Sequence, residues 1–107
     1  MNNISKSDWQ LFSKLLPEWQ ERYMNRLNQE YKRILDGEGS ATNKFWKLEK
    51  RIKADRKSPG VLVEVSKNSM FQTLLQLISE KVITDEDLNG FSEELRDGVN
   101  DVVKRFG

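Results

Sequence analysis

The chain has 107 residues, 36% hydrophobic and 33% charged, with a net charge of +1, which suits one small domain around a single core. It contains no cysteine and no histidine, so disulfides, thiolate metal sites and thiol catalysis are excluded, and the usual general base is missing. No apolar run approaches the roughly 20 residues that span a bilayer, and the opening "MNNISKSDWQ" lacks the basic-then-apolar order of a signal peptide, so a cytoplasmic, non-membrane protein is expected.

At the start of the chain, Ser5 followed three residues later by Asp8 reads as a helix N-terminus. Trp9, Phe12 and Leu16 fall on one face of that helix, and Pro17 ends it or opens the next at its first position. In "PEWQERYMNRLNQEYKRILDG" the residues Trp19, Tyr23, Leu27, Tyr31 and Leu35 recur every four positions, with Ile34 beside them. That is one apolar helical stripe, and Gly37 is its natural stop. "EGSAT" is a loop, with Ser40 or Thr42 capping the next helix. There Phe45, Leu48 and Ile52 face one way as the inward side, until Ser58-Pro59-Gly60 breaks the pattern.

"VLVEV" (61–65) is short and β-branched, so an extended strand is expected. A lone strand needs a partner, either "KVIT" (81–84) in a minimal parallel pair or the same segment across a homodimer. "NSMFQTLLQLISEK" reads as a helix capped at Asn68 or Ser69, with Phe71, Leu74, Leu75 and Ile78 inward. The last helix is capped by Ser92 and carries the stripe Leu95, Val99, Val102 and Phe106, with Phe91 placed to staple onto Leu95. The expected fold is therefore mostly α: one domain over residues 1–107, of four to five short helices, with a minor extended segment at 61–65.

The stretch "TDEDLNG" (84–90) raises the question of a calcium site, because Asp85, Asp87, Asn89 and Gly90 match the first half of an EF-hand loop. The twelfth loop position, which requires a bidentate Glu, is Arg96, and the eighth, normally apolar, is Ser92. No long helix leads into the first ligand. The simpler reading accounts for the whole stretch: Thr84 caps a short helix, Asp87 completes a capping box, and the acidic first turn suits the helix dipole. No metal or cofactor is assigned.

Charge is unevenly placed. Between Lys44 and Lys57 seven basic residues face two acidic ones, a net +5, whereas between Glu80 and Asp101 eight acidic residues face two basic ones, a net −6. A basic helix over 44–57 suggests phosphate contacts through Lys47, Lys50, Arg51, Lys53 and Lys57; the plainer alternative is a solvated helix face balanced by the acidic C-terminal part. Trp46 lies beside Phe45, toward the flank of the apolar face. If exposed, it is the first candidate for a protein-interface anchor. Adjacent carboxylates such as Glu93 and Glu94 do not face each other on a helix, and no catalytic constellation is found.

The segments "KFWKLEKRIKADRKSPGV" and "VITDEDLNGFSEELRDGV" resemble those of a group of small proteins from Gram-positive bacteria and their mobile elements, a likeness running from about "PEWQERY" onward. Members of that group are sometimes labelled multidrug transporters, which the polar character of this chain contradicts (mean hydropathy −0.74). The resemblance brings no functional residues with it. It implies a context, an accessory gene often carried on transferable DNA. The function expected is a non-enzymatic protein-interaction module, an accessory inhibitor or adaptor; the alternative is a nucleic-acid-binding accessory protein using the basic helix.

Overall fold

The computed structural model describes residues 4–62 and 66–106. The described residues are mostly helical. They form α1 (Lys6–Asp36), α2 (Ala41–Asp55), α3 (Met70–Ser79), a 3₁₀ turn (Asp85–Leu88) and α4 (Glu93–Phe106).

Helix α1 starts where the sequence places it, with the Ser5 side chain accepting from the Asp8 N–H at 3.0 Å. It does not end at Pro17 but runs on for 31 residues, about 46 Å at 1.5 Å per residue. An internal proline costs about 3 kcal/mol. Pro17 lies on the exposed side, and Phe12 and Leu16 before it enter the same core as Trp19 and Tyr23 after it. Each such side chain contributes roughly 1.5–3 kcal/mol on burial, so packing on both sides outweighs the missing hydrogen bond.

The stripe that repeats every four residues along α1 then leaves the core. Trp19, Tyr23 and Leu27 are buried, Tyr31 is half-buried and Leu35 is exposed. Steps of four residues turn the stripe by about 40° each, so Leu35 points about 160° away from Trp19.

The extended segment expected at 61–65 is not seen. Val61 and Leu62 lie in a turn, their N–H groups donating to the Ser58 carbonyl at 2.9 and 3.0 Å; residues 63–65 lie outside the described residues, among which there is no strand. Its proposed partner at 81–84 is committed elsewhere. Lys81 takes a left-handed φ of 59°, its N–H donates to Ile78 O at 3.0 Å, and the Val82 N–H donates to Leu77 O at 2.8 Å. This is a Schellman cap on α3, which consumes the groups a strand would need.

Helix α3 buries Met70, Thr73, Leu74 and Leu77, while Phe71, Leu75 and Ile78 are only partly covered. The inward face is thus rotated from the expected set, with Leu74 common to both. Helix α4 buries Leu95 and Val99 and half-buries Val102; the Phe106 side chain lies outside the described residues. Ser92 caps α4 as expected, its Oγ accepting from the Leu95 N–H at 3.2 Å.

One core joins these pieces. Phe12, Leu16, Trp19, Tyr23 and Leu27 of α1 meet Met70, Leu74 and Leu77 of α3, the Val82–Ile83 loop, Leu88, Phe91, and Leu95 and Val99 of α4. Trp19 stands edge-on to Phe12 and tilted against Phe91, each at 6.2 Å between ring centroids. Gly60 closes the core beside α1: a Cβ there would lie 2.5 Å from the Tyr23 ring and 2.8 Å from Val82, so only glycine admits the approach.

Beyond Leu27 no residue of α1 is buried, and α2 buries none at all. The part of α1 beyond Leu27 and all of α2 therefore project as a helical hairpin. The molecule measures 52 × 28 × 21 Å with a radius of gyration of 16.6 Å, against about 13 Å for a compact chain of this length.

Candidate functional site

The hairpin is held together by polar groups. Ser40 caps α2, accepting from the Asn43 N–H at 3.0 Å. Arg51 and Asp55 bond to α1, and the half-buried Lys44 and Leu48 share their face at i, i+4, i+7 and i+11 spacing. Tyr31 donates to Asp55 Oδ2 at 2.6 Å, Arg51 donates to the same oxygen at 2.9 Å, and Arg51 also donates to Glu30 at 2.6 Å. The Arg51 guanidinium lies 5.9 Å from the Tyr31 ring centroid.

Burial, reinforced by the hydrogen bond to the Asp55 carboxylate and by its negative charge, pushes the Tyr31 phenol up to about 12. A folded-state value raised above the unfolded one of about 10 means that this contribution to stability is complete below pH ~10 and is lost as pH rises through 12. In an ultraviolet titration we expect a phenolate step near pH 12, absent from Tyr31→Phe. Ionisation of every tyrosine at its ordinary pH would show that the Tyr31–Asp55 bond is not made.

With its polar face turned inward, α2 presents its aromatic residues outward. Phe45 is 61% exposed and Trp46 60%, and their rings meet edge-on at 5.0 Å between centroids. This corrects the expectation that Phe45, Leu48 and Ile52 form an inward face: Ile52 is also exposed and Leu48 is only half-covered. The spacing was that of an amphipathic helix, but the neighbour that would cover its apolar side is not provided by the described residues. Instead Phe45, Leu48 and Ile52, with Glu49, Lys53 and Arg56, line an open groove of about 350 Å³.

The basic candidates separate into two groups. Lys47, Lys50, Lys53 and Lys57 are exposed, whereas Arg51 is engaged by Glu30 and Asp55 and is not free for a phosphate. The helix itself ends at Asp55, so Arg56 and Lys57 lie in the turn beyond it. Sequence reading missed the Glu30–Arg51–Asp55–Tyr31 cluster. Its one local trace was the i, i+4 pair of Arg51 and Asp55.

At the acidic end, Thr84 and Asp87 form the helix start read from the sequence: the Asp87 carboxylate accepts from the Thr84 N–H at 2.8 Å. Arg22 of α1 also forks onto both Asp87 oxygens at 3.1 and 2.8 Å. Partial burial works to raise the Asp87 carboxyl pKa, but the Thr84 and Arg22 hydrogen bonds outweigh it and hold it below its ordinary value. Asp8, the buried carboxylate, accepts from the Ser92 N–H at 2.8 Å and the Ser92 hydroxyl at 2.6 Å, tying the first turn of α1 to the start of α4.

Comparison of the chain with protein-family models, with curated proteins and with solved structures finds no match. Among the described residues, no helix is long and apolar enough to cross a membrane.

Proposed function

We propose that this chain is a non-enzymatic protein-interaction module, an accessory inhibitor or adaptor acting in the bacterial cytoplasm, with α2 as its contact surface. The observation that carries the reading is the exposed Phe45–Trp46 pair on a helix that buries none of its own residues. Large aromatic side chains are costly to leave in water and are enriched among interface anchors. The mobile-element context implied by the sequence resemblance suits an accessory binder of a host or element-encoded protein.

A second reading has its own support. Trp46, Lys50 and Lys53 are exposed and fall on one side of α2 by helical spacing, with the exposed Lys57 in the turn beyond it, an aromatic among cations that would suit nucleic acid. In that case affinity falls steeply with salt.

The discriminating experiment is capture from a Gram-positive bacterial lysate with the full chain as bait, with and without nuclease, using three baits: wild type, Phe45→Ala/Trp46→Ala, and Lys47→Ala/Lys50→Ala/Lys53→Ala. We expect a protein that survives nuclease and is lost only with the aromatic variant. Material lost on nuclease treatment and with the lysine variant, but kept by the aromatic variant, would replace this reading with the nucleic-acid one.

A further inference from the structure

The α2 groove also constrains what fills it. We infer that its occupant is an acidic amphipathic helix of a different protein, laid with its apolar side on Phe45, Leu48 and Ile52 and its carboxylates on the basic rim; this rests on the interaction-module reading.

The groove floor repeats at i, i+3 and i+7 along α2, which is the spacing one helix offers another. It is long enough for about two turns of a partner. On its open side the rim carries Lys53 and Arg56, with Trp46 and Lys50 next around the helix, and Glu49 is the single acidic member. A basic partner would set like charges together across a desolvated seam, which is strongly unfavourable. A phosphate backbone would find the rim but has nothing to cover the apolar floor.

A second copy of this chain fits less well. Pairing α2 with α2 would bring two segments of net +5 face to face. The acidic portion of a second copy supplies Glu93, Glu94, Asp97 and Asp101 on the exposed side of α4, but Val103 is the one large hydrophobic exposed there among the described residues. It offers charge without an apolar seam.

The test uses the full chain, ¹⁵N-labelled, and follows its three tryptophan indole N–H signals on titration with designed helical peptides. One peptide carries leucines at i, i+3, i+4 and i+7 flanked by glutamates. The second replaces those glutamates by lysines, the third scrambles the acidic sequence, and a single-stranded oligonucleotide is titrated in parallel. The expected result is saturable movement of the Trp46 indole with the first peptide, the buried Trp19 indole staying in place. Binding by the second and third peptides should be weaker by about tenfold or more, and Phe45→Ala/Ile52→Ala should remove the response.

Equal binding of the scrambled acidic peptide would overturn the seam and leave charge alone. An oligonucleotide that displaces the first peptide from Trp46 would overturn the proposal in favour of nucleic acid. Absence of any peptide response, together with a dimer in sedimentation that Phe45→Ala dissociates, would assign the groove to a second copy. If no peptide moves Trp46 while lysate capture still depends on Phe45 and Trp46, this inference falls and the interaction-module reading stands. If that dependence is absent as well, both fall.

Discussion

Trp19→Ala should destabilise the protein by about 3–5 kcal/mol, whereas Trp46→Ala should cost less than about 1 kcal/mol. The two residues are chemically identical and both lie on helices. Trp19 is 3% exposed, wedged between Phe12 and Phe91, while Trp46 is 60% exposed and touches Phe45 at the surface. Removing Trp19 opens a cavity that its close-packed neighbours cannot refill; removing Trp46 returns a patch of surface to water. Denaturant melts of both variants, fitted with a common slope, make the comparison. A Trp46→Ala loss as large as that of Trp19→Ala would mean that α2 packs its outer face within the folded chain, and the interaction surface would disappear with it.

Asp8→Ala should cost about 2 kcal/mol, and Asp8→Asn roughly half as much. The carboxylate accepts two short hydrogen bonds from Ser92, which itself caps α4. Alanine leaves both donors to solvent, and the exposure of Ser92 softens the loss because water can replace part of the pair. Asparagine keeps one acceptor of the right shape without the charge. The loss should also be local in character: amide exchange at the start of α4 should speed up more than exchange in α3. A neutral Asp8→Ala would show that the first turn of α1 is not anchored to Ser92.

These two sites show how differently a side chain's role is written. Trp19 and Leu27 were legible as core because the stripe they belong to repeats with the helical period. The caps at Ser5, Ser92 and Thr84 were legible because each is a contact within three residues of itself. Asp8 looked like part of the same local signal, yet its carboxylate reaches a residue 84 positions away, which no spacing rule can foresee.

What the sequence determined by itself was therefore the local grammar: a mostly helical chain, the caps at Ser5, Ser40, Thr84 and Ser92 (though not the side-chain cap expected for α3, where Ser69 makes none), the stop at Gly37 and the break after α2. Periodicity and hydrogen bonding within one turn are enough for those. The tertiary structure decided the rest. Pro17 stays inside α1 because the core grips both sides of it. The 81–84 backbone caps α3 instead of pairing as a strand. Among the described residues the groove on α2 stays open because its polar side, through Arg51 and Asp55, won the contact with α1. An amphipathic pattern says that one side of a helix wants cover; only the placement of the neighbouring elements decides whether the chain supplies that cover itself.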